Sequence, residues 1–98
     1  MSPTLGVLAL LEAKPGKGDD LGKFLKGGRD LAAAEQGTVT WYAFKITDTT
    51  YGIFDTFDED EGRQAHLNGQ IPAALGQVAD ELLAAAPNIR TVDVIAVK

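Results

Sequence analysis

The chain contains no cysteine, which excludes disulfides, thiolate nucleophiles and cysteine-based metal sites and fits a reducing compartment. Histidine, tryptophan and methionine occur once each. One imidazole without a neighbouring ligand cluster is poor material for a metal centre, so none is expected. Positive charge is also scarce: nine Lys and Arg stand against fourteen Asp and Glu, a formal charge of -5, and the sequence reads as having no basic cluster or basic helix face. Nucleic acid and anionic membranes are therefore not expected as partners. No apolar run approaches the ~20 residues of a membrane-spanning helix. The run from Leu5 to Leu11 lacks a basic flank before it and is followed by Glu12 and Lys14 instead of a small-residue cleavage site. It reads as a buried strand and not as a signal segment, and a cytoplasmic protein is expected. Gly16 and Gly18 lack the remaining glycines of a dinucleotide-binding loop, so no nicotinamide or flavin cofactor is expected.

What is present is the composition of one globular domain over residues 1–98, at the small end of the range, where association often completes the burial. A first strand, about Leu5 to Ala13, is apolar at almost every position and ends at Lys14-Pro-Gly-Lys-Gly18. From an N-cap at Asp19 or Asp20, the apolar residues Leu21, Phe24, Leu25, Gly28, Leu31 and Ala32 recur on one helix face. Gly27-Gly28 weakens that helix, either because it lies close on a sheet or as a simple irregularity. Asp58 and Glu61 have capping-box spacing and start a short helix reaching His66 or Leu67. Asn68-Gly69 interrupts it, and Pro72 suits the first turn of a further helix with Ile71, Ala74, Leu75, Val78 and Leu82 on one face. Ile89 to Val97 alternates and is β-rich, giving a last strand.

The segment from Thr40 to Phe57, TWYAFKITDTTYGIFDTF, reads as a hairpin with two apolar faces and one acid, Asp55, among aromatics. A two-residue turn at Asp48-Thr49 would pair Ile46 with Tyr51, Phe44 with Ile53 and Tyr42 with Asp55. These residues would then share a face under the helices, leaving Trp41, Ala43, Lys45, Phe54 and Thr56 on the other. A one-residue slip would exchange the faces. The element order βαββαβ predicts an α+β, ferredoxin-like sandwich with an antiparallel sheet, one face under helices and one bare. A bare face with Trp41 and Phe54 would be a large exposed apolar patch, which a homodimer joined sheet to sheet would cover.

The strand ending in Ala13-Lys-Pro-Gly-Lys17, the segment Tyr51-Gly-Ile-Phe-Asp-Thr-Phe57 followed by Asp58-Glu-Asp-Glu-Gly-Arg-Gln-Ala-His66-Leu, and the closing Ala/Leu-rich helix and strand resemble the antibiotic biosynthesis monooxygenase family. Those are small dimeric α/β-barrel proteins related to the quinol monooxygenases, and the resemblance covers nearly the whole chain. In such proteins the third strand commonly ends with an acid two residues before an aromatic, and a histidine follows on the next helix. Asp55, Phe57 and His66 occupy those places, with Asp where Glu is more usual. The resemblance implies a dimeric α/β barrel and chemistry without a cofactor. The Asn of the first strand and the Trp near the end of the third that mark haem-degrading relatives have no counterparts, so haem degradation is not expected.

The candidate site is His66 with Asp55 as the proton-transfer pair, and Tyr42, Phe44, Tyr51, Ile53 and Phe57 as an apolar surround for a small aromatic ligand. The plainer readings are a capping or surface histidine, a structural Asp55–Tyr42 hydrogen bond, and core packing for Tyr51 and Phe57. Trp41 is expected in a subunit interface and not at the ligand. Three functions stay open: a cofactor-independent monooxygenase of a small aromatic or quinol-type metabolite, a non-catalytic dimeric barrel binding a small apolar ligand, and an isomerase or lyase using the same acid–base pair.

Overall fold

A computed structural model describes residues 3–98. The elements are β1 (Leu5–Glu12), α1 (Gly18–Ala33), β2 (Thr38–Lys45), β3 (Thr50–Phe57), α2 (Asp60–Leu67), α3 (Gln70–Leu82) and β4 (Asn88–Asp93). The four strands form one antiparallel sheet in the order β2-β3-β1-β4. This is the expected ferredoxin-like α+β sandwich, with the helices over one face.

The core lies between that face and the helices. Ala9, Leu11 and Ala13 from β1 and its end, Tyr51 and Ile53 from β3, Leu21 and Leu25 from α1, and Leu75 and Leu83 from α3 and its end form one buried cluster. The spacing read for α1 is realised, with Leu21, Leu25, Gly28 and Ala32 buried. A Cβ at Gly28 would sit 3.4 Å from the Trp41 ring, whereas one at Gly27 would meet nothing. Of the two, Gly28 alone faces a neighbour, at a distance an alanine Cβ could also occupy, so neither glycine is required by close packing. The caps differ from expectation: α1 begins after Lys17 and α2 after Glu59, and no side chain caps either N-terminus. The Asp58/Glu61 box does not form, because α2 starts one residue beyond the position that would use it.

The hairpin register is shifted by one from the expected one. Lys45 pairs with Tyr51, Ala43 with Ile53, Tyr42 with Phe54 and Trp41 with Asp55. The cause is in the turn. The Ile46 amide donates to the Thr50 carbonyl at 2.8 Å, and the Thr47 hydroxyl accepts from the Thr49 and Thr50 amides at 3.3 and 3.0 Å. That hydroxyl stabilises a longer turn, through residues 47–49, over the shorter one. A one-residue shift exchanges faces. Trp41 therefore lies on the helix side, packed against the core, and Tyr42 and Phe44 lie on the bare side with Phe54. β4 stops at Asp93, opposite Leu5 where β1 begins. The Val94 amide still donates to the Thr4 carbonyl at 2.8 Å, but residues 94–97, expected as strand, form no further strand, with Ile95 98% exposed.

Candidate functional site

His66, near the C-terminal end of α2, turns inward and is buried. Its Nε2 lies 2.8 Å from Asp55 Oδ2 and its Nδ1 2.7 Å from Glu35 Oε1. Glu35 Oε1 also accepts the Thr38 hydroxyl at 2.7 Å, which fixes the carboxylate at the entrance to β2. Phe57 is fully buried, its ring centroid 5.4 Å from that of His66 and tilted by 45°. The imidazole is thus clasped by two acids from different parts of the fold, with an aromatic ring on its flank.

Two glycines permit that clasp. A Cβ on Gly37 would come 2.6 Å from the Gly62 Cα, and one on Gly62 would come 2.9 Å from the Gly37 carbonyl oxygen. The loop after α1 and the first turns of α2 can touch only because neither residue has a side chain. Arg63 ties the same helix to β4 by donating to the Val92 carbonyl and pairs with Asp60.

Burial pushes the His66 imidazole down, but the Asp55 carboxylate and then the Glu35 carboxylate more than offset this, and the net shift is upward from the ordinary value. The imidazole at 2.8 Å is the polar neighbour of Asp55 Oδ2. Asp55 Oδ1 and Trp41 Nε1 are buried with no hydrogen-bond partner, and Asp55 Oδ2 has the imidazole contact alone. Trp41 and Asp55 face each other directly in the β2–β3 ladder. A buried polar atom without a partner costs about 1–3 kcal/mol, and such atoms call for an explanation. Among the described residues, no group of His, Asp and Glu is arranged to hold a metal ion; both imidazole nitrogens are already engaged by carboxylates.

A groove of about 830 Å³ runs between α1 and the β2 edge of the sheet. Its aromatic walls are Trp41, Tyr42, Phe44 and Tyr51, and its cations are Lys23, Lys26 and Arg29 of α1 with Lys45 of β2. The expected site is therefore divided. Asp55, His66 and Phe57 come together in the buried cluster, and Tyr51 lines the groove while belonging to the core. Ile53 is core only, away from the groove lining. Tyr42 and Phe44 line the groove from the bare side of the sheet and do not surround Asp55, as the register requires. Asp55 faces Trp41 and not Tyr42, so the Asp55–Tyr42 hydrogen bond is absent.

Sequence reasoning missed Glu35, Trp41 as a groove residue and the basic side of α1. A signal for Glu35 exists: it follows directly after a helix, where the macrodipole disfavours an acid, so a compensating cation could have been sought. Lys23, Lys26 and Arg29 recur every three residues, which keeps them on one side of the helix.

The fold is the one seen in candidate antibiotic biosynthesis monooxygenases. One from Caulobacter crescentus superposes with a TM-score of 0.79 at 21% identity over 96% of this chain and 92% of that one. Another, from Nitrosomonas europaea, gives 0.83 at 8% identity over 94% and 99%. More specifically, the chain belongs to the same family as the NE2512 protein of Nitrosomonas europaea, a protein of unknown function. The two are 48% identical over 98% of this chain and 93% of that one, with a TM-score of 0.95. No family model and no curated protein matches the chain.

Proposed function

We propose that the protein is a cofactor-independent monooxygenase of a small aromatic or quinol-type compound held in the groove. Trp41, which lines the groove and faces buried Asp55 across the ladder, links the two halves of the site, and the reacting hydroxyl would have to pass the indole to reach the carboxylate. The observation that carries this reading is the pair of unpartnered atoms on facing positions, the Trp41 Nε1 donor and the Asp55 Oδ1 acceptor. A substrate hydroxyl between them would accept from the indole and donate to the carboxylate. Asp55 would relay the proton to neutral His66, whose imidazolium is then stabilised by Glu35. The net base is His66. The substrate anion reacts with O2 directly: in an anthrone, the ring methylene gives up both hydrogens and gains one oxygen atom as a carbonyl. The second oxygen atom leaves with those hydrogens as water, so the substrate supplies all the electrons.

The test is oxygen uptake with a panel of hydroquinones and anthrones, with anaerobic incubation as the control. Uptake at a fixed ratio to product, unchanged by chelation or by adding flavin, is expected. Conversion without oxygen would indicate an isomerase or lyase, and no conversion by any compound would remove the enzymatic reading. A second reading has its own observation: with both nitrogens engaged, His66 also has the form of a structural clasp joining α2, β3 and the loop before β2. A His66→Ala variant that loses stability but retains turnover would favour that alternative, with the groove as a simple binding site.

We further propose that a homodimer forms through the bare sheet face. Tyr42 and Ile46 are 60% and 57% exposed there, beside Phe44 and half-buried Phe54, Leu8 and Leu10. These residues would cover one another in a second copy, closing an α/β barrel.

A further inference from the structure

We infer that the groove between α1 and β2 selects an aromatic that carries an anionic substituent such as a carboxylate, with the ring on Trp41 and the anion toward Lys23 and Lys26. The inference rests on the groove being the substrate site and goes further by naming the substrate's charge. The chain is acidic overall, at -5, yet Lys23, Lys26, Arg29 and Lys45, four of its nine basic side chains, line this one groove with Asp19 as the sole acid. Chance would place acids there more often than bases. Arg29 pairs with Asp30 and Lys45 with Asp48, but Lys23 and Lys26 take part in no ion pair among the described residues. Gly22, on the same side of α1, packs beside buried Tyr51, where a Cβ would be 3.5 Å from the ring, so α1 presents no side chain at that position beside the lysines. Aromatic walls in a groove that also holds unpaired ammonium groups match a planar ring carrying a negative charge.

The experiment compares 6-hydroxy-2-naphthoate with 6-hydroxy-2-naphthamide, which share ring and phenol and differ in charge. Affinities are measured by titration calorimetry, and the single Trp41 indole N–H signal in NMR reports whether the ligand sits in the groove. The naphthoate should bind roughly fivefold to tenfold tighter at low ionic strength, with the advantage shrinking as salt is added. Lys23→Gln/Lys26→Gln should remove that advantage, bringing the two ligands to about the same affinity, whereas Lys98→Gln should preserve it. Equal affinities in the wild type, or a preference that survives in the double variant, would overturn the inference while leaving the groove as an aromatic site. Failure of both ligands to bind or to shift the Trp41 signal would overturn the inference and the groove's role in the proposed function together.

Discussion

His66 is held from two sides by carboxylates, and the same proton bears on stability and on activity with opposite signs. The folded chain binds the imidazole proton more tightly than the unfolded chain does, since the shift is upward. The clasp therefore stabilises the fold fully below the ordinary imidazole value, and that contribution is lost as pH rises through the raised one. Proton relay from Asp55 needs neutral His66, so turnover should rise with pH over the window in which this stabilisation fades. Urea unfolding and oxygen uptake measured across neutral to mildly alkaline pH should show the two trends crossing. A pH-independent turnover would detach His66 from the chemistry. His66→Ala should lower turnover by on the order of 10²-fold and leave the buried Asp55 carboxylate without its cation, at a cost of about 3 kcal/mol or more at neutral pH. Because that loss of stability could obscure the kinetics, Asp55→Asn/His66→Gln, which replaces the charges by neutral polar groups, should fold close to wild type and still be inactive. Asp55→Asn and His66 losses should not add if the two act as one unit. Asp55 and His66 were legible in the sequence because an acid among strand aromatics and a lone histidine at a helix end are both out of place. Glu35 was not, since its partner lies 31 positions away and only the fold brings the two together.

At the scale of elements, the sequence pattern was sufficient for the order and faces of the helices but not for the turn that sets the hairpin. Strand alternation reads the same in two registers, and the choice rested on the Thr47 hydroxyl, a local hydrogen bond that hydrophobic patterning does not report. That single shift moved Trp41 from a presumed interface to the wall of the groove. The meeting of the loop after α1 with α2 is set by Gly37 and Gly62, and it can be tested at each. Gly62→Ala forces a Cβ toward the Gly37 carbonyl and should cost about 1–3 kcal/mol. It should also draw Glu35 away from the imidazole, so that the His66 pKa falls back toward its ordinary value, as followed by NMR titration of the only histidine ring. Gly27→Ala has open space on an exposed helix surface and should instead stabilise by about 0.5–1 kcal/mol. If the two substitutions proved equivalent, the contact between loop and α2 would not be holding the clasp.

For the whole molecule, the sheet has one face in the core and one that offers Leu8, Leu10, Tyr42, Phe44 and Phe54 to solvent in the single chain. Phe44 lies over Gly52, where an added Cβ would be 2.4 Å from its ring, so part of this apolar surface is already ordered without a partner. Such a face is more than a scattering of surface hydrophobics and is what a sheet-to-sheet dimer would bury. The exposed Ile95 and Val97 of the chain end add apolar surface beyond the last strand. The sequence argued for this dimer but chose Trp41 as its marker, and the observed register separates the two candidates. Phe54→Asp places a charge at the middle of the bare face and should cost several kcal/mol of association, giving a monomer by light scattering at micromolar concentration. Trp41→Phe changes only the helix side, and should leave the assembly intact while weakening aromatic binding in the groove. A wild type that is monomeric under those conditions would remove the barrel, whereas a Phe54→Asp variant that remains dimeric would move the interface to another face. Tyr42 and Phe44 border both the groove and the bare face, so only Trp41 separates the two, and a Trp41→Phe variant that dissociates would contradict its assignment to the helix side.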